Sequence, residues 1–250
     1  MNIFEVNKNL DLKVEFLNNS PIFTIENFYK FPEKVYKYII ERPYYEGKAR
    51  FWQFDQIPSY NGIFFEDRRF SENDESLIPI FLLLKKLIEK HSAYKYAFRS
   101  RIVVNFTSLK SDEKSLEFNN YKDNYWWPHI DKGFNGIVYF HDEWGTNLYS
   151  KNSTDERINI NDSFAPWRSK NHYHLLKKIK PKFNKLVIFD GAEFLHGMDV
   201  SNKKYFGKES RNNQVFFFKK EELQKSNHYN IFKKIKSFIK KVILKFIRDW

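Results

Sequence analysis

A chain of 250 residues without a cysteine has no disulfide framework and no thiolate metal site, and it is long enough for one medium domain with appendages. Its 43 Lys/Arg outnumber 31 Asp/Glu for a net charge of +12, but residues 219–250 hold ten of the bases and three of the acids (+7), leaving +5 for the rest. A nucleic-acid reader carries its basic stripe on the folded domain, so this split argues against nucleic acid as a partner.

Taken in order, residues 1–20 alternate weakly and read as a short strand or an extended arm. Met1-Asn-Ile-Phe-Glu5 lacks the basic start and apolar core of a secretory signal. With cysteine absent, the expected location is a reducing cytoplasm. Pro21–Ile25 reads as a strand and Phe31–Ile40 as a helix with Pro32 in its first turn. Residues 42–70, rich in aromatics and turn residues, read as irregular. From Ser76 to Glu89, Leu77, Ile80, Phe81, Leu84, Leu87 and Ile88 recur at helical spacing, with Asn73 or Asp74 available as a cap. Both helices read as scaffold outside a β core.

From residue 95 the pattern changes to short strands, at 97–107, 125–131, 136–141, 146–150, 185–190, 194–198 and 211–218. The 27 Phe and 15 Tyr favour strands, and glycines at 133, 136, 145, 191 and 197 punctuate them. Many short strands with turn signals predict a mainly β fold with flanking helices, a sandwich or jelly roll of the kind cupins share. The expected organisation is an N-terminal strand and helical flank (1–94), a β core (95–218) and a tail (219–250). Residues 151–180 interrupt the core with a polar segment that could form a lid over a site.

Within this core, His129 and Asp131 stand two apart and share a face if the segment is extended. An imidazole and a carboxylate so placed are two thirds of a 2-His-1-carboxylate triad, which holds Fe(II) and leaves positions open. His196, led by the apolar run Leu186–Phe189, fits the third place, and Arg211 opens the last strand. An HxD pair alone carries little information; a distal histidine ending one strand and an arginine opening the next add to it. His141-Asp142-Glu143 is a competing HxE, read as a turn, and His172 and His174 share a face if extended, read as a solvated surface pair. The Trp126–Trp127 pair is expected to pack, with one indole available as a wall of a substrate pocket.

These residues resemble the iron- and 2-oxoglutarate-dependent oxygenases, nearest a prolyl-4-hydroxylase-like branch. The likeness rests on Pro128-His-Ile-Asp131, Gly136-Ile-Val-Tyr-Phe140, Trp144-Gly-Thr-Asn-Leu-Tyr149, Lys182–Gly191, His196 and Arg211–Phe218. It departs where relatives often carry Gly-Gly before the threonine and this chain has Trp144-Gly145, and in the separation of 65 positions between Asp131 and His196, which implies an inserted loop. The resemblance implies a double-stranded β-helix with Fe(II) on His129, Asp131 and His196, and 2-oxoglutarate and O2 as co-substrates. Arg211 would hold the distal carboxylate of 2-oxoglutarate, since a guanidinium gives a bidentate, permanently charged clamp. Lys208 is its rival, and Asn105 and Tyr139 are polar groups on core strands that would touch the co-substrate. The substrate class stays open among peptide, glycan, lipid and small metabolite.

Two other readings stand beside this one: a metal-holding jelly-roll binding module, and a membrane-associated protein acting through its tail. In residues 228–250, Ile231, Ile235, Phe238, Ile239, Val242, Ile243, Phe246 and Ile247 form one helical face and lysines fill the other, a basic amphipathic pattern. Such a helix packs on its own domain, docks a partner or lies on an anionic surface at the inner membrane face. The last option predicts that co-sedimentation with anionic vesicles falls as salt rises. Equal, negligible sedimentation of the full chain and a chain ending at 220 would contradict it.

Overall fold

A computed structural model describes residues 2–41, 63–69, 75–92, 96–101, 103–109, 121–155, 167–200 and 211–220. The chain divides into two units, 1–220 and 221–250. Lys208, Asn73, Asp74 and the basic segment 228–250 lie outside the described residues.

In chain order the elements are β1 (Asp11–Leu17), β2 (Ser20–Glu26), α1 (Pro32–Glu41), β3 (Ile63–Arg69), α2 (Ile78–His91), β4 (Tyr96–Arg101), β5 (Val103–Leu109), β6 (Asn124–His129), β7 (Gly133–Tyr139), β8 (Thr146–Tyr149), β9 (Trp167–Ser169), β10 (Leu175–Ile179), β11 (Lys185–Asp190), β12 (Leu195–Met198) and β13 (Asn213–Lys220). They form a six-stranded sheet, β1-β2-β11-β7-β13-β4, a five-stranded sheet, β10-β8-β12-β6-β9, and the pair β3-β5. Every pairing is antiparallel. The protein is therefore mainly β, two antiparallel sheets with two helices among the described residues. No helix among these residues is long and apolar enough to cross a membrane.

The six-stranded sheet is buried on both faces, because its central strands are apolar at nearly every position. Along β7, Phe134 and Val138, with Phe140 just beyond, pack with Val35 and Ile39 of α1 and Ile80, Phe81, Leu84 and Ile88 of α2. Phe81 meets the rings of Phe216 and Phe218 edge-on at 5.2 and 5.8 Å. The alternate residues Ile137 and Tyr139 pack with Val187, Phe189 and Leu148, filling the space between the sheets. Strict alternation on β7, β11 and β13 thus builds two cores back to back, and the inner one adjoins the site.

Several expectations are revised. Residues 97–107 are two strands in different sheets: β4 pairs with β13 and β5 with β3. The region 42–70 is expected to be irregular, yet 63–69 is β3, a strand whose Glu-Asp-Arg-Arg half has low β propensity and is held by backbone pairing. Residues 1–20 contribute β1, joined to β2 by Asn18 and Asn19 at φ 48° and 64°, the left-handed pair a tight hairpin requires. The α2 helix starts after Leu77, which gives no side-chain cap.

The expected lid also changes character. Its central part, 156–166, lies outside the described residues, but 167–169 and 175–179 are β9 and β10, the two edges of the five-stranded sheet. Lys177 and Lys178 on β10 make the segment look like loop; charge on an edge strand is how sheets avoid further pairing. Residues 170–172 form a 3-10 turn, so His172 and His174 do not share a strand face. His172 instead meets Thr154 Oγ1 through Nδ1 at 2.9 Å.

Candidate metal centre

β6 and β12 are neighbours, with His129 directly opposite His196 and Trp126 opposite Met198. Between those pairs β6 has two residues, Trp127 and Pro128, against Gly197 alone, which is a β-bulge. Trp127 takes the left-handed conformation, φ 41°, and Pro128 has no N–H to give the ladder. A bulge inserts one residue and re-aims the side chains beyond it; without it a one-residue slip would turn His129 to the other face. The bulge needs Gly197, since a Cβ there would lie 2.3 Å from the Trp126 carbonyl oxygen.

The expected strand 125–131 ends at His129, so Asp131 lies beyond it. Its place is set by the turn after β11: the Asp131 N–H donates to Gly191 O (2.9 Å), and the Gly191 N–H to Gly133 O (2.8 Å). Gly191 is tightly enclosed, because a Cβ would approach Asn135 Nδ2 to 2.7 Å. The HxD spacing works here through a tethered turn as well as strand geometry.

Among the described residues, His129, Asp131 and His196 are the group whose ligand atoms all lie within 4.8 Å of one another. Asp131 Oδ2 is 3.1 Å from His196 Nε2 and 3.9 Å from His129 Nε2, and the two imidazole rings lie 4.3 Å apart. With metal–ligand bonds of about 2.1 Å, adjacent ligands of one ion sit about 3.0–3.4 Å apart, so modest movement of His129 suffices.

The other ring nitrogens decide the chemistry. His129 Nδ1 is 2.8 Å from Trp127 O, and His196 Nδ1 is 3.1 Å from Phe194 O. A carbonyl only accepts, so each Nδ1 carries the proton and each Nε2 turns a lone pair toward Asp131. Second partners of this kind fix tautomer and orientation in metal-binding histidines. The residues fit a divalent ion of the N/O-liganded class.

Burial alone would raise the Asp131 carboxyl, but a proton on His196 Nε2, when that atom carries one, is donated to it, and this bond, the charge of the imidazoles and the Asn135 amide hold it well below the usual carboxylate range. His129 is pushed down, by the partial burial of its ring and then by the charge of His196. Asp131 is held as carboxylate and His129 as neutral imidazole, the forms that bind metal, and an ion at His196 Nε2 takes the place of a proton there. Asn135, on the inner face of β7, donates from Nδ2 to Asp131 Oδ2 (2.6 Å) and lies 3.0 Å from His196 Nε2. Sequence reasoning missed it; the signal was an asparagine inside an otherwise apolar strand.

Burial differs across the centre. The His196 side chain is 6% exposed and Asp131 28%, while His129 is 41% exposed. The open flank is therefore on the His129 side, where the Trp127 ring lies 5.6 Å from the His129 ring. Trp126 packs edge-on against Trp167 at 4.8 Å. The tryptophan pair divides as one packing residue and one at the site.

Arg211 is buried just before β13. Its Nε donates to Trp144 O (2.9 Å) and its Nη2 to Gly145 O (3.2 Å), with Thr146 Oγ1 at 3.5 Å. The guanidinium carbon lies 5.9 Å from the centre of the Tyr139 ring, and Tyr139 OH meets Thr146 Oγ1 at 2.7 Å. Thr146 pairs with Met198, two residues along β12 from His196. It is thus on the same face as that histidine and roughly 7 Å along the sheet. Arg211 and Tyr139 come together as a pair in the inter-sheet space. Asn105 is on β5, opposite Asp67 in the two-stranded sheet, and its side chain lies outside the described residues.

His141 stands apart from the metal group. It is buried beyond the end of β7, beside Tyr139 and 3.0 Å from the amide of Asn213. Burial and then the Arg211 charge push its pKa down to about 3. An unfolded histidine titrates near 6.5, so between pH 6.5 and about 3 the unfolded chain binds a proton that the folded one does not. Stability from this group is complete above pH 6.5 and is lost as pH falls through that window, by on the order of a few kcal/mol. His141→Gln is expected to flatten the acid limb of urea-unfolding free energy against pH; an unchanged slope would contradict this.

No protein-family model matches this chain, and no curated protein matches it.

Proposed function

We propose that this chain is an iron(II)- and 2-oxoglutarate-dependent oxygenase built on a double-stranded β-helix. The strand pairing supports the fold: β4 pairs with β13, β6 with β12, β7 with β11 and β8 with β10. Strands β4, β6, β7 and β8 are thus matched antiparallel by the return from β10 to β13, as in a ribbon coiled into a jelly roll, while β5 pairs with β3 outside it. The observation that carries the function is the pair of imidazoles, each tied by Nδ1 to a backbone carbonyl, with both Nε2 atoms facing one carboxylate oxygen.

When bound, Fe(II) would couple the oxidation of 2-oxoglutarate by O2, to succinate and CO2, with hydroxylation of a C–H bond in the substrate. His129, Asp131 and His196 would hold the ion, and Asn135 keeps the Asp131 carboxylate in place. Arg211, with Tyr139 OH and Thr146 Oγ1, offers the distal carboxylate of 2-oxoglutarate a charge-assisted seat. The inner core residues Ile137, Leu148, Val187, Phe189 and Phe194 keep water from that seat. The substrate, still unidentified, approaches from the His129 flank.

A second reading, a metal-holding jelly roll without turnover, has one observation in its favour. Arg211 already serves the fold, tying down the turn in which Trp144 is left-handed at φ 55°. Succinate release from 2-oxoglutarate, measured with Fe(II), O2 and pooled cell extract, separates the two. Release that requires all three added components supports the oxygenase; none under any condition supports the binding module.

A further inference from the structure

We infer that Asn213 determines which 2-oxo acid the site accepts, by orienting the Arg211 guanidinium while leaving its charge uncompensated. The inference rests on the reading of Arg211 as the carboxylate anchor. Asn213 begins β13 opposite Tyr139, on the inner face, and is 1% exposed. A guanidinium only donates, so the amide atom facing it is the oxygen: Asn213 Oδ1 accepts from Arg211 Nη1 at 2.8 Å. The amide nitrogen then donates to Asn212 O at 3.2 Å and to His141 Nε2 at 3.0 Å. That last bond requires His141 Nε2 to be unprotonated, as a buried neutral imidazole provides.

These bonds give each group a fixed role. His141 takes a hydrogen bond from the amide, which presents its oxygen to Nη1, while Trp144 O and Gly145 O hold Nε and Nη2. The guanidinium plane is held from three sides over Tyr139. The choice of amide over carboxylate at 213 matters as much as the geometry. Aspartate has the same shape and would accept the same bond, but it would cancel the charge that a ligand carboxylate needs. Asn213 is thus a positioning and specificity residue, acting through Arg211.

The test uses the full-length protein loaded with Fe(II), titrated anaerobically with 2-oxoglutarate and with 2-oxobutanoate, which lacks the distal carboxylate. The readout is the metal-to-ligand charge-transfer absorption. Asn213→Asp is expected to weaken 2-oxoglutarate at least about tenfold while leaving Fe(II) stoichiometry and 2-oxobutanoate affinity as in the parent. Asn213→Ser, neutral and shorter, gives the same comparison should the aspartate variant not fold, with a smaller loss confined to 2-oxoglutarate. Unchanged 2-oxoglutarate affinity, or equal loss of both acids, overturns the assignment. A parent that shows no band with 2-oxoglutarate overturns the anchor reading and this inference with it; a parent band with indifferent variants overturns this inference alone.

Discussion

Replacing His129, Asp131 or His196 by alanine is expected to abolish stoichiometric Fe(II) or Mn(II) binding, a loss of at least about 100-fold in affinity, while His141→Ala keeps it. Removing even outer partners of metal ligands typically costs about 10–100-fold, and a lost ligand costs more. The three positions contribute by different means. His196 is buried and pinned to Phe194 O, so its removal leaves a hole at the closed end of the site. Asp131 is the sole anion of the group, and without it two neutral imidazoles face a divalent charge alone. His129, the most exposed, is the ligand that a bound solvent molecule replaces most readily, so its variant should retain the largest residue of affinity. His141 lies outside the group and bonds to Asn213. Calorimetric metal titration of the four variants measures all of this, and normal binding by His196→Ala would refute the triad.

Arg211→Ala is expected to keep Fe(II) and lose most 2-oxoglutarate affinity, with Arg211→Lys recovering only part. Charge-assisted hydrogen bonds contribute about 1.5–3 kcal/mol each, and a carboxylate between two sheets without a counter-charge is costly. Lysine restores the charge but not the planar fork, and cannot hold Trp144 O, Gly145 O and Asn213 together. The alanine variant also releases the 144–146 turn, so some stability should be lost with the ligand. Retained metal binding shows that the sheets are intact. Lys208→Ala is expected to behave as the parent in the same titration. Loss of 2-oxoglutarate binding in that variant alone would move the anchor to Lys208.

Much of the site was legible because its chemistry is local. His129 and Asp131 are two residues apart, an apolar run, Leu186–Phe189, leads to His196, and Arg211 stands before the apolar run Val215–Phe218. What stayed hidden depends on pairing between distant segments. The bulge at Trp127-Pro128 shows only once β12 lies alongside, and Gly197 is then explained by the carbonyl it must clear. Asn135 and Asn213 looked like ordinary polar residues in strands; burial and partners give them roles. The consecutive buried polar residues Asn212, Asn213 and Gln214 were a signal, since strands facing an apolar core rarely open that way. On the fold side, residues 1–20 read only as a short strand or an extended arm, and the Asn18-Asn19 turn that makes the β1–β2 hairpin shows in the backbone, whereas β3 and β10 are masked by charged residues whose strands are set by neighbours rather than propensity.

If one inter-sheet space holds both a metal and 2-oxoglutarate, anaerobic titration of the Fe(II)-loaded parent with 2-oxoglutarate will show it. A metal-to-ligand charge-transfer band is expected to grow to saturation at one 2-oxoglutarate per bound iron. Stoichiometric Fe(II) binding with no band at any 2-oxoglutarate concentration would contradict it.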